Sequence, residues 1–192
     1  MLRSVAEAND PANEIVGVVF KELKSFPDNR GFFRELVRQT DNFFGDGFGQ
    51  WSHSKMGQNT VKAWHFHHTQ TDWWYVPLGL VHVYLYDNRE ESPTYRRSLE
   101  FFLGDVEGDS RILTSVIRIP PGVLHGLKVL SDTAHLFYIT SHTYNPQDEG
   151  RLPFNTDLVP HSWGDPSELV VAENDKQTFI PPVPRVQLIT SL

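Results

Sequence analysis

Cysteine is absent from this 192-residue chain. That excludes disulfides, thiolate metal sites and a cysteine nucleophile, and it fits a reducing compartment. No stretch approaches the ~18 consecutive apolar residues of a membrane-spanning helix. Residues 1–14 (MLRSVAEANDPANE) lack the apolar centre of a secretory signal, so a cytoplasmic protein away from the membrane is expected. Positive charge is scarce: 17 Lys and Arg stand against 24 Asp and Glu, a formal charge of −7. A chain this acidic offers no broad basic surface to nucleic acid. Internal repeats and low-complexity tracts are missing too. Aromatic side chains, at 12%, and histidine, with nine copies, are plentiful.

The local pattern is that of an all-β protein. Val81, Val83 and Leu85 alternate with His82, Tyr84 and Tyr86, a period of two. Residues 15–20, 112–119, 127–130 and 136–140 read as further strands, while 32–39 suits strand or helix. Turns fall at 26–31, 77–79, 91–94, 120–122 and 145–146, each marked by Pro or Gly, and 41–49 reads as a loop. A helix is expected after Asp165, because Pro166 suits a first helical position. The expectation is one domain over 1–192, with a loose arm at 1–13 and a tail at 176–192.

Three histidines crowd together in Trp64-His65-Phe66-His67-His68. On a strand His65 and His67 share one face and His68 takes the other. Asp72 follows, then Gly79, and far downstream Pro120-Pro121-Gly122-Val123-Leu124-His125 sets a histidine just past a sharp turn. Two imidazoles on one strand, a carboxylate on its neighbour and a third imidazole from a distant strand can converge inside a barrel. Such a set suits a divalent metal such as Fe, Mn, Ni or Zn; the same residues also serve as polar lining without any metal. The arrangement resembles the cupin superfamily, with H-x-H-(x)3,4-E-(x)6-G and P-x-G-x-x-H as its motifs. Asp72 stands in the Glu position, and Val129 replaces the final Asn of the second motif. The resemblance implies a jelly roll, or double-stranded β-helix.

Residues 26–175 are similar, more narrowly, to the dTDP-4-dehydrorhamnose 3,5-epimerase family. Its D-x-R-G-x-F-x-E segment is met at 28–35, Q-x-N-x-S at 50–54 with Ser52 for Asn, and R-x-x-S-P-T at 89–94. P-x-G-x-A-H-G is met at 120–126 with Leu124 for Ala, and a Y…Y-x-P stretch at Tyr138 and Tyr144-Asn145-Pro146. The resemblance implies an isomerase acting next to a 4-keto group of a nucleotide sugar, with dTDP as carrier, and working as a homodimer. It assigns His65 as base, Asp175 as its orienting carboxylate and Tyr138 as proton donor. Lys62 takes the place of an Arg, and Arg30, Phe33 and Glu35 hold the nucleotide across the dimer interface. Gln50, His125 and Tyr144 fall at further substrate-binding positions.

The chemistry needs these residue types. Epimerisation beside a ketone removes an acidic C–H, for which an imidazole is the natural base at neutral pH. A carboxylate on its other nitrogen fixes the tautomer, and a phenol on the opposite face returns the proton. The enolate oxygen then needs positive charge or hydrogen bonds. Here the chain departs from the family, which has a Lys where Asp72 stands. Two readings follow. A divalent metal on His65, His67, Asp72 and His125 replaces the lost cation, or His65 is a free base in a metal-free site. A metal-dependent cupin with another reaction and a non-catalytic nucleotide-sugar-binding relative are the alternatives.

Overall fold

The computed structural model describes residues 14–106 and 108–183; the expected arm at 1–13 and the last part of the expected tail, 184–192, lie outside them. Fourteen strands are numbered in chain order among the described residues. One sheet runs β1 (Val19–Glu22), β10 (Ser115–Ile119), β6 (Asp72–Leu78), β12 (Thr133–Thr140) and β4 (Gln50–Gly57). The second runs β13 (Glu149–Arg151), β5 (Thr60–His67), β11 (Val123–Val129), β7 (Leu80–Asp87), β8 (Ser98–Gly104) and β9 (Ile112–Leu113), with β14 (Val170–Val171) parallel to β5. A separate hairpin pairs β2 (Ser25–Asp28) with β3 (Gly31–Arg34). The architecture is the expected all-β jelly roll.

Both faces of the sheets are covered, which is why polar alternation is weak in the sequence. Val81, Val83 and Leu85 join Trp74, Phe101, Ile117, Leu127 and Leu136 in the core between the sheets. Tyr84 and Tyr86, on the opposite face of β7, pack with Trp64, Leu124 and Trp163 in an outer cluster. In β5 the apolar residues Trp64 and Phe66 join that outer cluster, leaving His65 and His67 to point inward. A third cluster, Leu23, Trp73, Tyr75 and Val116, lies outside the five-stranded sheet.

Several expectations are corrected. The strand read at 112–119 breaks at Thr114 into β9 and β10, and the one read at 127–130 begins at Val123. Only residues 32–34 of the 32–39 segment are strand, as the end of β3. The helix after Asp165 is one 3-10 turn, Pro166–Glu168, whose start is capped by Asp165 accepting from the Ser167 N–H. Asp72 is not on the strand beside His65 and His67. Residues 68–71 carry the chain from one sheet to the other, so Asp72 reaches the histidines from the facing sheet.

The R-x-x-S-P-T segment is a structural clamp. Asp87, fully buried at the end of β7, accepts hydrogen bonds from Arg89 Nε (2.7 Å), Ser92 Oγ (2.7 Å) and Thr94 Oγ1 (2.6 Å). Burial pushes the Asp87 carboxyl up, but these donors outweigh it and hold it at about 2. Because the folded value lies below the unfolded one, the carboxylate stabilises the fold above the unfolded carboxylate range and loses that contribution as pH falls toward 2. Asp87→Asn should cost about 3 kcal/mol at neutral pH, since it strands the buried donors. Urea unfolding at pH 7 and at low pH checks this: the variant should sit closer to wild type in acid than at neutrality.

Candidate active site in the barrel

A cavity of about 200 Å³ opens between the sheets. Register explains its wall of imidazoles. His125 of β11 is paired directly with His65 of β5, and His67, two residues along, shares their face. The His67 and His125 rings stack with centroids 5.6 Å apart, and Trp74 of the facing sheet meets His125 edge-on at 5.2 Å. Tyr138 is paired with Trp74 across β12 and β6 and lines the cavity with Gln50, Ser54, Lys62 and Tyr144.

His65 is held by carboxylates. Its Nε2 lies 2.9 Å from Asp175 Oδ1, and its Nδ1 3.3 Å from Glu149 Oε1. Of the two contacts the one to Asp175 is the hydrogen bond, and a carboxylate accepts, so Nε2 carries the proton toward Asp175. Asp175 is 4% exposed, turned inward from the 3-10 turn Glu173–Lys176. Glu149, missed in the sequence, is also clamped by Arg151 Nε at 3.0 Å. No spacing rule points to it; it arrives because β13 pairs with β5 at His67 and His65.

The far end of the cavity is different. His67, Asp72 and His125 place ligand atoms within 4.8 Å of one another. His65, expected as a fourth ligand, is not in that group. Its ring nitrogens face Asp175 and Glu149 instead. Asp72 is 5% exposed. It accepts from Gln70 Nε2 at 2.8 Å and Trp74 Nε1 at 3.2 Å. Burial pushes its carboxyl up, opposed by the His67 imidazole and by these two donors. Burial also drives His125 well below the usual imidazole range, helped by repulsion from His67 and His65. His125 Nδ1 donates to the Val123 carbonyl at 3.1 Å, which leaves Nε2 as its acceptor. Among the described residues Lys62 is the one Lys or Arg lining the cavity; its Nζ donates to Ser54 Oγ at 2.9 Å.

The expected nucleotide-binding residues are not brought to this cavity. Arg30 sits at the tip of the β2–β3 hairpin, paired with Asp28 at 2.6 Å; Phe33 packs on Phe26 with centroids 6.4 Å apart; Glu35 pairs with Arg38. All three are outside the lining, and Phe33 is 63% exposed. Gln50 and Tyr144 meet at the rim, where Gln50 Oε1 accepts from the Tyr144 N–H at 3.1 Å.

Comparison with known proteins gives the family. The family model for dTDP-4-dehydrorhamnose 3,5-epimerase matches residues 12–180. The chain belongs to the dTDP-4-dehydrorhamnose 3,5-epimerase family. Among relatives, the spore coat polysaccharide biosynthesis protein SpsL of Bacillus subtilis (strain 168) is 40% identical over 152 residues, covering 78% of this chain and 96% of that protein. The dTDP-4-dehydrorhamnose 3,5-epimerase of Escherichia coli (strain K12) is 28% identical over 173 residues, covering 86% and 90%. The crystal structure of a dTDP sugar isomerase from Desulfovibrio desulfuricans G20 superposes with a TM-score of 0.71 at 31% identity, covering 78% of this chain and 92% of that one. Within this epimerase family, the hydrogen bonds above fix the tautomers of this chain. Nitrogen-15 NMR of labelled protein at neutral pH should show His65 protonated at Nε2 and His125 protonated at Nδ1 only. The reverse pattern at either ring would contradict the geometry.

Proposed function

We propose that this chain epimerises a dTDP-linked sugar at carbon next to a 4-keto group. The observation that carries this is His65 Nε2 at 2.9 Å from Asp175 Oδ1, with the other ring nitrogen on the side of Glu149, a residue of the cavity lining. Asp175 holds the Nε2–H, which leaves Nδ1 to take a proton from the substrate carbon. Tyr138, on the opposite sheet, returns a proton to the other face and inverts the centre. Glu149 stabilises the imidazolium that forms. Lys62 supplies positive charge to the enolate oxygen, at the place where the family pattern has an Arg. Gln50, His125 and Tyr144 contact the sugar.

The nucleotide would be held by Arg30, Phe33 and Glu35 of a second copy. In one chain these residues stand on an exposed hairpin away from the cavity, and a homodimer is the arrangement that puts them to use. A cytoplasmic location suits a cysteine-free chain acting on a nucleotide sugar.

A second reading is supported by the convergence of His67, Asp72 and His125. Two imidazoles and a carboxylate fit a divalent ion. When bound, it would polarise the substrate oxygen. Chelation that abolishes turnover, with recovery on adding metal, would favour this reading over a metal-free site.

The test is proton NMR of a dTDP-4-keto-6-deoxyhexose incubated with the protein. Wild type should convert it to an epimer. His65→Ala should lower kcat by about 10²–10⁴-fold, the usual worth of a positioned base. Lys62→Met should lower it by about 10²–10³-fold, as for loss of one oxyanion partner. Full activity in His65→Ala would end this assignment.

A further inference from the structure

The cavity floor contains a residue that no motif marks. Gln70 is 7% exposed, and its amide nitrogen sits between two acceptors: 2.8 Å from Asp72 Oδ1 and 3.2 Å from His67 Nε2. Those two acceptors are themselves 3.8 Å apart. An ionised carboxylate only accepts, so the nitrogen end of the amide must face Asp72. An amide nitrogen carries two hydrogens, and here each has an acceptor. His67 therefore receives a hydrogen bond at Nε2 and carries its own proton on Nδ1.

The position of Gln70 is fixed by its backbone. Asp148, 4% exposed, accepts from the Thr69 N–H at 2.9 Å, from Thr69 Oγ1 at 2.8 Å and from the Gln70 N–H at 3.1 Å. The Asp148 carbonyl also accepts from the His68 N–H at 3.1 Å. The crossing from one sheet to the other is thus pinned, and it delivers Gln70 to the floor.

A ring nitrogen has one lone pair. While Gln70 donates to His67 Nε2, a metal ion cannot bind that atom, and one side of the Asp72 carboxylate is also taken. We propose that Gln70 keeps the His67–Asp72–His125 floor free of metal, by filling with a neutral N–H crossbar the place a divalent cation would bridge. This deepens the metal-free epimerase reading, yet rests on the geometry of the floor alone. It makes Gln70 a positioning residue that acts through His67 and Asp72, and it makes residue 70 the choice between two chemistries in one barrel.

The test is Co²⁺ titration of the purified protein, followed by visible absorption and by metal content after gel filtration. Gln70→Ala frees the ligand atoms, and Gln70→Glu adds a second carboxylate to them. Both should bind Co²⁺ about tenfold or more tightly than wild type, since metal no longer displaces hydrogen bonds to a carboxylate and an imidazole. The gain should vanish when His125→Ala is added, which separates the floor from exposed histidines such as the His53–His135 pair. Thermal melts of both single variants without metal check folding, and either variant suffices if the other fails to fold. Equal behaviour of wild type and variants, whether all bind or none does, overturns the proposal. So does weaker binding in Gln70→Ala, which would make the Gln70 oxygen a ligand. None of these outcomes depends on turnover, so failure here leaves the epimerase assignment to its own assay.

Discussion

The contact between Asp175 and Nε2 of His65 is the constraint around which the rest of the cavity is arranged. A carboxylate taken out of water is costly unless it is hydrogen-bonded, and the imidazole supplies that partner. The fold works to keep the two together. β14 runs parallel to β5 and leads into the turn that carries Asp175, and the Phe154 N–H donates to the Asp175 carbonyl at 2.8 Å. The outward packing of Trp64 and Phe66 sets the strand so that the residues between and after them face inward. The apolar cluster outside the barrel thereby orients the polar cluster inside it.

The two ends of the cavity balance their charges differently. Around His65 stand two carboxylates, Asp175 and Glu149, with the Lys62 ammonium on the cavity wall. Around Asp72 the floor is rich in acceptors: a buried carboxylate, the Nε2 of His125 and the Nε2 of His67. A cation there would balance the carboxylate directly. Without one, the N–H groups of Gln70 and Trp74 do so through hydrogen bonds, which are weaker than a formal charge but cost nothing in desolvation of a second ion. The buried Asp72 carboxylate is therefore accommodated locally, by neutral donors.

Much of this was legible in the sequence, for physical reasons that differ from residue to residue. His65 and His67 share a face because a strand repeats every two residues, and His125 follows a turn that Gly122 makes at φ +78°. The kinship of ordered segments reached Tyr138 and Asp175 through loops that periodicity cannot cross. Other features were hidden. Asp72 came from the facing sheet, because sequence adjacency does not say when a chain changes sheets. Glu149 and Gln70 carry no motif; strand pairing and the Asp148 clamp place them. The R-x-x-S-P-T segment carried only kinship in the sequence, and in the fold it caps Asp87. Arg30, Phe33 and Glu35 stand where one chain alone gives them no substrate to touch.

The central claim is that a single imidazole, oriented by Asp175, removes a carbon-bound proton beside a ketone. Running the conversion in D₂O and reading the product by mass spectrometry and NMR tests it most directly. The account predicts deuterium at the inverted carbon, because the proton passes to a solvent-exchanging base before the carbon is reprotonated. Inversion with the original hydrogen retained throughout would contradict it.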